Sequence, residues 1–249
     1  MAERRRLLID SARLQCADDH RRFGLEDHES RYLRKVLRLK HGAQLDVIDG
    51  CGNLWLARLL EGQQLELCTE ITAPSQTVIP PLPKLSLAIA LIRRGMDDVM
   101  RMACELGVDR LQPLNCRRSV PQAEHRPQRW NSILQEAVEQ CERLWAPELH
   151  AVCSAAQWWN TPDPHDLRLI AVARELESPR LSELLAAQAS VDRSIWLSIG
   201  PEGGWSDQEL AAAQAAGWIF VSLGDTILRS STAAVSGVSS MSNWRTLKC

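Results

Sequence analysis

Tyrosine and phenylalanine are nearly missing from this chain: one Tyr and two Phe stand against nine Trp in 249 residues. The tryptophans supply large apolar surface but, as a composition, point to no function. Long apolar runs are also missing, and no stretch approaches the roughly 18 uncharged apolar residues of a membrane span. The first residues, Met-Ala-Glu-Arg-Arg-Arg-Leu-Leu-Ile, are basic but lack an apolar core and a small-residue cleavage site. This predicts no secretory leader and a cytoplasmic protein. None of the eight cysteines (16, 51, 68, 104, 116, 141, 153 and 249) belongs to a Cys-x-x-Cys pair or has a His at zinc-finger spacing. A disulfide framework, a structural zinc and any metal site are therefore not expected, and most cysteines read as small buried hydrophobes. Strong charge of one sign is absent too: the formal net charge is −2. That excludes a generally basic nucleic-acid binder but not a local basic patch. One is present, because Arg31, Arg34, Lys35, Arg38 and Lys40 follow one another without an acidic residue from 31 to 40. Such a run grips phosphates or merely solvates a helix face.

With 45% hydrophobic and 24% charged residues, the composition is that of a globular protein with a sizeable core. The organisation breaks once, at 73–83, where four prolines forbid a continuous helix or central strand. This segment is read as an extended linker between a domain at 1–72 and another at 84–249. The first domain has strand signals: Leu45–Asp49, a Gly-Cys-Gly-Asn turn, Leu54–Leu60 as the returning strand of a hairpin, then Leu65–Ile71. One helix, about Asp27–Leu39, is expected to turn Leu33, Val36 and Leu37 inward. The reading is a small β-rich barrel. After the linker, strands at 85–91, 108–114, 167–173, 194–199 and 218–223 alternate with helices, including a long one over 128–145. That alternation predicts an α/β domain with a mostly parallel sheet.

Two strand-to-helix turns carry the chemistry. The first is Ile199-Gly200-Pro201-Glu202-Gly203-Gly204-Trp205-Ser206, where three glycines permit close backbone approach to a ligand and Ser206 with Glu209 forms a capping box. Its spacing is neither Gly-x-Gly-x-x-Gly nor a P-loop, and Glu202 would repel a phosphate while accepting a cationic or neutral ligand. In α/β folds ligands bind beyond the carboxyl ends of strands, where this loop sits; a tight turn without function remains the alternative. The second is Leu223-Gly224-Asp225-Thr226-Ile227-Leu228-Arg229, followed by a helix of small residues that allows a tight crossing or a partner subunit.

Together these segments resemble bacterial 16S ribosomal RNA uracil-N3 methyltransferases of the SPOUT class. The resemblance is carried by Ile199–Ser206, then Leu223, Gly224, Ile227, Leu228, Arg229, Thr232 and Ala233. Glu105-Leu106-Gly107-Val108, Pro113, Arg129, Glu136, Ala137, Glu139, Gln140, Arg143 and Pro147 extend it, as do Val36–Leu39, Gly42, Asp49 and Gly50. It implies a C-terminal trefoil-knot α/β domain with a mostly parallel sheet, a PUA-like N-terminal RNA-binding barrel and a homodimer. It also implies S-adenosylmethionine held by Ile199, Gly200, Pro201, Glu202, Gly203, Gly204, Leu223, Gly224, Ile227, Leu228, Thr232 and Ala233. The implied substrate is 16S RNA in the small ribosomal subunit. Arg229 is then the catalytic cation, and Arg31, Arg34 and Arg38 with Glu136, Gln140 and Arg143 (one helix face, i, i+4, i+7) are the RNA contacts. The chain departs from the family pattern at Ser231, where Glu is usual, at Thr226 for Arg and at Met102 for Lys. Two alternatives stay open from sequence: a related methyltransferase acting at another RNA site, and an RNA-binding or ribosome-assembly factor that has lost turnover.

Overall fold

The computed structural model describes residues 4–18, 21–121, 123, 125–173, 178–188 and 192–248. The chain divides into two compact units, residues 1–80 with 135–146, and residues 81–134 with 147–249.

In the first unit the chain forms β1 (Arg6–Leu8), α1 (Ser11–Gln15), β2 (Arg22–Gly24), α2 (Asp27–Arg31), β3 (Gln44–Ile48), β4 (Asn53–Leu59), β5 (Gln64–Leu67) and β6 (Gln76–Thr77). The strands make one mixed sheet in the order β1-β3-β4-β5-β2, with β6 on β4. The predicted hairpin is present: β3 and β4 run antiparallel with Val47 opposite Trp55. Its turn is built by Asp49, whose carboxylate accepts from the backbone N–H of Cys51 (2.7 Å) and of Asn53 (3.0 Å). Gly52 has φ +99° there, and a Cβ would lie 2.4 Å from the Val78 carbonyl oxygen, so no side chain fits. Leu7, Ile9, Leu33, Leu45, Val47, Leu59 and Leu65 form the core. β6 lies inside the segment read as linker; those residues pair as an edge strand, which proline permits on either side.

The single helix expected over 27–39 is not one α-helix. α2 ends at Arg31 and a π-helical turn, Tyr32–Val36, continues it. The wider turn rotates later residues off the α-helical register. Leu33 is fully buried, but Val36, expected inside, is 64% exposed. A second correction concerns cysteine: only Cys104 and Cys116 are buried, while Cys16 and Cys51 are exposed and Cys68, Cys141 and Cys153 partly covered. Cys249 lies outside the described residues.

A buried and a partly buried carboxylate of this unit, Glu29 and Glu139, have opposite behaviour. Burial alone would raise Glu29, but Arg13 grips both its oxygens (2.6 and 2.8 Å) and its carboxyl sits below the usual range. Glu139 is pushed up to about 7, first by burial, with Glu136 and Glu29 adding repulsion; the Leu8 N–H (2.9 Å) and the Gln135 amide only partly offset this. A carboxyl raised in the fold binds its proton more tightly folded than unfolded. Its contribution to stability therefore falls as pH rises from about 4.5 through about 7. Glu139→Gln, which mimics the protonated acid, is expected to flatten that fall, by at most about 3 kcal/mol at pH 8. Urea unfolding at pH 5 and pH 8 checks it; equal slopes in both proteins would contradict it.

The second unit contains β7 (Leu85–Ala90), α3 (Met96–Glu105), β8 (Arg110–Asn115), the start of α4 (Pro127–Gln140), β9 (Glu148–Leu149), β10 (Cys153–Ser154), α5 (Ala155–Trp158), β11 (Leu167–Ala171), α6 (Leu181–Ala187), β12 (Ile195–Ile199), α7 (Asp207–Ala215), β13 (Ile219–Val221) and α8 (Ser230–Lys248). Its strands form one parallel sheet, β10-β8-β7-β12-β11-β13, with β9 on β8. β7 and β12 are buried at every residue, as central parallel strands covered on both faces must be. α8 packs against β7, β12, α3 and α6. Arg245 fastens its last turns, donating to the Asp109 carboxylate (2.6 Å) and the Gly107 carbonyl (2.7 Å). The tryptophans have a structural role here: Trp158, Trp159, Trp196, Trp205 and Trp218 pack edge to face or tilted, with ring centres 4.6 to 6.0 Å apart. Among the described residues no helix is long and apolar enough to cross a membrane, and no group of His, Cys, Asp and Glu is placed to hold a metal.

Candidate functional site

The carboxyl ends of β11 and β12 and the segment after β13 open into a cavity of about 630 Å³. That volume is within the range of small-molecule sites. Ile199 through Trp205 form one wall and Leu223, Gly224 and Thr226 through Ser230 another, with Ala171–Ala173, Arg118, Asp207, Leu210 and Ala233 completing it. The two turns singled out from sequence thus face the same space. Every residue assigned to the cofactor lines it except Thr232, which is exposed on α8.

The first wall is shaped by its glycines. A Cβ at Gly200 would lie 3.0 Å from the Trp205 ring, and one at Gly203 would lie 3.0 Å from Arg118. Trp205 is held by its indole N–H on the Ala171 carbonyl (3.0 Å). The capping box is formed as the sequence indicated: Ser206 Oγ accepts from the Glu209 N–H (3.3 Å), and the Glu209 carboxylate takes the Ser206 N–H (2.9 Å). Glu209 has a further task that the sequence did not disclose, because its other oxygen accepts from the Arg117 N–H (2.9 Å). Glu202 likewise accepts from the Arg93 N–H (2.9 Å), so part of its charge is committed to a neighbouring loop.

The second wall ends at α8. Arg229 is exposed, and among the described residues its guanidinium makes no hydrogen bond or ion pair. It stands at the N-terminus of a 19-residue helix, whose unpaired N–H groups add positive potential. Asp225 pairs with Arg180 (2.8 Å), pinning the loop from the side. Thr226 lines the cavity, whereas Ser231, the second residue of α8, does not; a Cβ at Gly95 would lie 3.9 Å from the Ser231 Cβ. Arg118 was missed from sequence. It lines the cavity with one guanidinium nitrogen donating to the Trp205 carbonyl (2.8 Å).

The residues assigned to RNA are placed unequally. Arg31 and Arg38 are exposed, Arg38 in a left-handed conformation (φ +55°) after the π-helical turn. Arg34 turns into its own unit and donates to the carbonyls of Leu60 and Gly62. Glu136 and Gln140 are exposed on α4, but Arg143 does not share their face. The helix stops at Gln140 and Glu142 takes φ +63°, which breaks the i, i+4, i+7 relation.

An RNA methyltransferase domain matches residues 80–242, and an RNA methyltransferase PUA domain matches 25–68. A ribosomal RNA small subunit methyltransferase E from Synechocystis is 38% identical over 207 residues, covering 81% of this chain. The chain spans just under two thirds (66%) of that relative's length. A protein of the same name from Rickettsia conorii is 29% identical and covered to 85% on both sides. Among solved structures, a ribosomal RNA small subunit methyltransferase E from Neisseria gonorrhoeae bound to S-adenosyl methionine superposes with a TM-score of 0.80 at 25% identity, over 97% of this chain and 98% of that one. A Legionella pneumophila protein with bound cofactor SAM gives 0.77 at 26%, over 95% of each.

Proposed function

The chain belongs to the RNA methyltransferase family, and on that premise we propose that it transfers the methyl group of S-adenosylmethionine to N3 of a uridine in 16S ribosomal RNA of the small subunit. The observation that carries this reading is the shared cavity of Ile199–Trp205 and Leu223–Ser230 with an unpaired Arg229 at its edge. The residues present fit the cofactor: the volume is adequate, and the wall is close-packed backbone where a Cβ at Gly200 or Gly203 would crowd Trp205 or Arg118. Ile199–Gly204, Leu223, Gly224, Ile227, Leu228 and Ala233 would hold it. When bound, it supplies an electrophilic methyl group on a sulfonium.

The remaining work belongs to this chain. Uracil N3 carries a proton and is a weak nucleophile until that proton leaves. Arg229 can donate two hydrogen bonds to one carbonyl oxygen of the uracil anion, which leaves N3 open to the methyl group, and so favour loss of the N3 proton to solvent. Ile199, Leu228 and Trp205 supply apolar lining to the same cavity. Arg31 and Arg38 are the remaining candidates for phosphate contact in the first unit; contacts of this kind position an RNA without reading its sequence. The target base must leave its stack to enter the cavity.

The homodimer and a cytoplasmic location belong to the same reading. Exposed Leu247 (86%) is apolar surface that a second copy would cover. Small ribosomal subunits lacking the modification, incubated with labelled S-adenosylmethionine, are expected to gain one methyl per subunit. Labelling of transfer RNA instead would redirect the proposal to another RNA.

A further inference from the structure

The carboxyl ends of β7 and β8 each run into an arginine pair, Arg93–Arg94 and Arg117–Arg118. The strands are neighbours, with Ala90 opposite Leu114, and β12 lies on the other side of β7 with Ile199 opposite Ile89. Both pairs therefore leave the sheet on the edge where Gly200 begins the cavity loop. All four arginines are exposed.

The nearby carboxylates do not neutralise them. Glu202 is engaged by the backbone N–H of Arg93, and Glu209, 6% exposed, by the backbone N–H of Arg117 and by Ser206. These acids fix the two loops to the cavity wall through backbone N–H groups, not through the guanidiniums of Arg93 and Arg117. Among the described residues the side chains of Arg93, Arg94 and Arg117 make no hydrogen bond or ion pair. Arg118 uses one nitrogen on the Trp205 carbonyl; its other stands 3.9 Å from Asp207, which is fully exposed. Four cations on two loops, anchored through the backbone N–H groups of Arg93 and Arg117, repel one another until an anion arrives. A guanidinium fork matches phosphate oxygens in geometry as well as charge.

We propose that Arg93, Arg94, Arg117 and Arg118 form a phosphate-binding rim that holds the RNA strand flanking the target nucleotide over the cavity mouth. The proposal rests on the RNA methyltransferase reading and adds a second RNA surface, on the α/β unit itself. The basic run at 31–40 drew attention from sequence; twin arginines directly after two neighbouring strands were the signal for this rim.

The test uses the full chain and measures its affinity for unmodified small ribosomal subunits by filter binding from low to high salt. Removing phosphate contacts lowers the salt slope by about 0.7 to 0.9 per contact. The double variant R93Q/R94Q and the single variant R117Q are expected to weaken RNA binding at least about tenfold at moderate salt and to reduce the slope accordingly. Cofactor affinity by calorimetry and the melting temperature should stay at wild-type values, and R93K/R94K should keep most of the RNA affinity. Unchanged RNA affinity and slope in the Gln variants would overturn the rim. Loss of a dimer at constant RNA affinity would overturn it too, and would assign these arginines to a second copy of the chain. Failure of the methyltransferase reading appears separately, as a wild-type protein that transfers no methyl to any RNA; the binding readout does not depend on turnover.

Discussion

Arg229→Ala is expected to lower kcat for methyl transfer by a factor on the order of 10² to 10³ while leaving cofactor affinity within a few-fold of wild type. The magnitude is that of removing one charge-stabilising hydrogen-bond donor from an active site. The asymmetry follows from position: Arg229 lines the cavity at its exposed end, without a partner among the described residues, while the glycine loop forms the opposite wall. Loss of an interaction realised mainly with the uracil anion affects turnover more than binding. The pH profile separates this role from a structural one. If Arg229 favours loss of the N3 proton, its removal moves the rising limb of the rate to higher pH. Arg229→Lys should fall between, since it keeps the charge and loses the two-pronged geometry. Stopped-flow or quench measurement of single turnovers checks this; a weakened cofactor affinity with unchanged turnover would contradict it.

Gly237→Ala is the second change with a large expected effect, on stability. α8 crosses β12 so closely that a Cβ at Gly237 would lie 2.3 Å from Leu197 Cδ2 and 3.7 Å from Leu223 Cδ2. Leu197 is fully buried and cannot swing into solvent. Overpacking a core in this way costs about 1–3 kcal/mol, which for a chain of this size lowers Tm by roughly 3–10 °C. Leu223 also lines the cavity, so cofactor affinity should fall with it. Leu197→Val in the same chain removes a methylene at the clash and should restore part of the lost stability, a coupling that a double-mutant cycle measures. A Gly237→Ala protein with wild-type Tm would show that α8 does not sit this close. The small residues of this helix, odd in isolation, have their reason here.

What the sequence made legible was local. The Asp49–Asn53 turn, the Ser206–Glu209 box and the two glycine-bearing turns are each written in a few neighbouring residues, and their chemistry is decided within one turn of chain. Elements decided by distant partners were not legible. Three-residue strands such as β1 and β2 are too short to show a period. The π-helical turn that exposes Val36 has no sequence mark, because a one-residue register change preserves composition. Arg34 is drawn to the Leu60 and Gly62 carbonyls, some 26 and 28 residues away, and a basic run does not reveal which of its members will be so used. Residues 135–146 join the first unit although they follow the linker by more than fifty positions. The motifs of the family resemblance are these local turns, and the structure brings both to one cavity; Arg118 escaped because it reaches the cavity from another strand.

The measurement that tests the central claim most directly is nucleoside identification after methyl transfer to unmodified small subunits. The transferred label should reside in N3-methyluridine, and less by roughly a hundredfold or more should appear when Arg229→Ala is assayed at matched enzyme and time. A ribose-methylated nucleoside, or cofactor binding without any labelled nucleoside, would contradict the account.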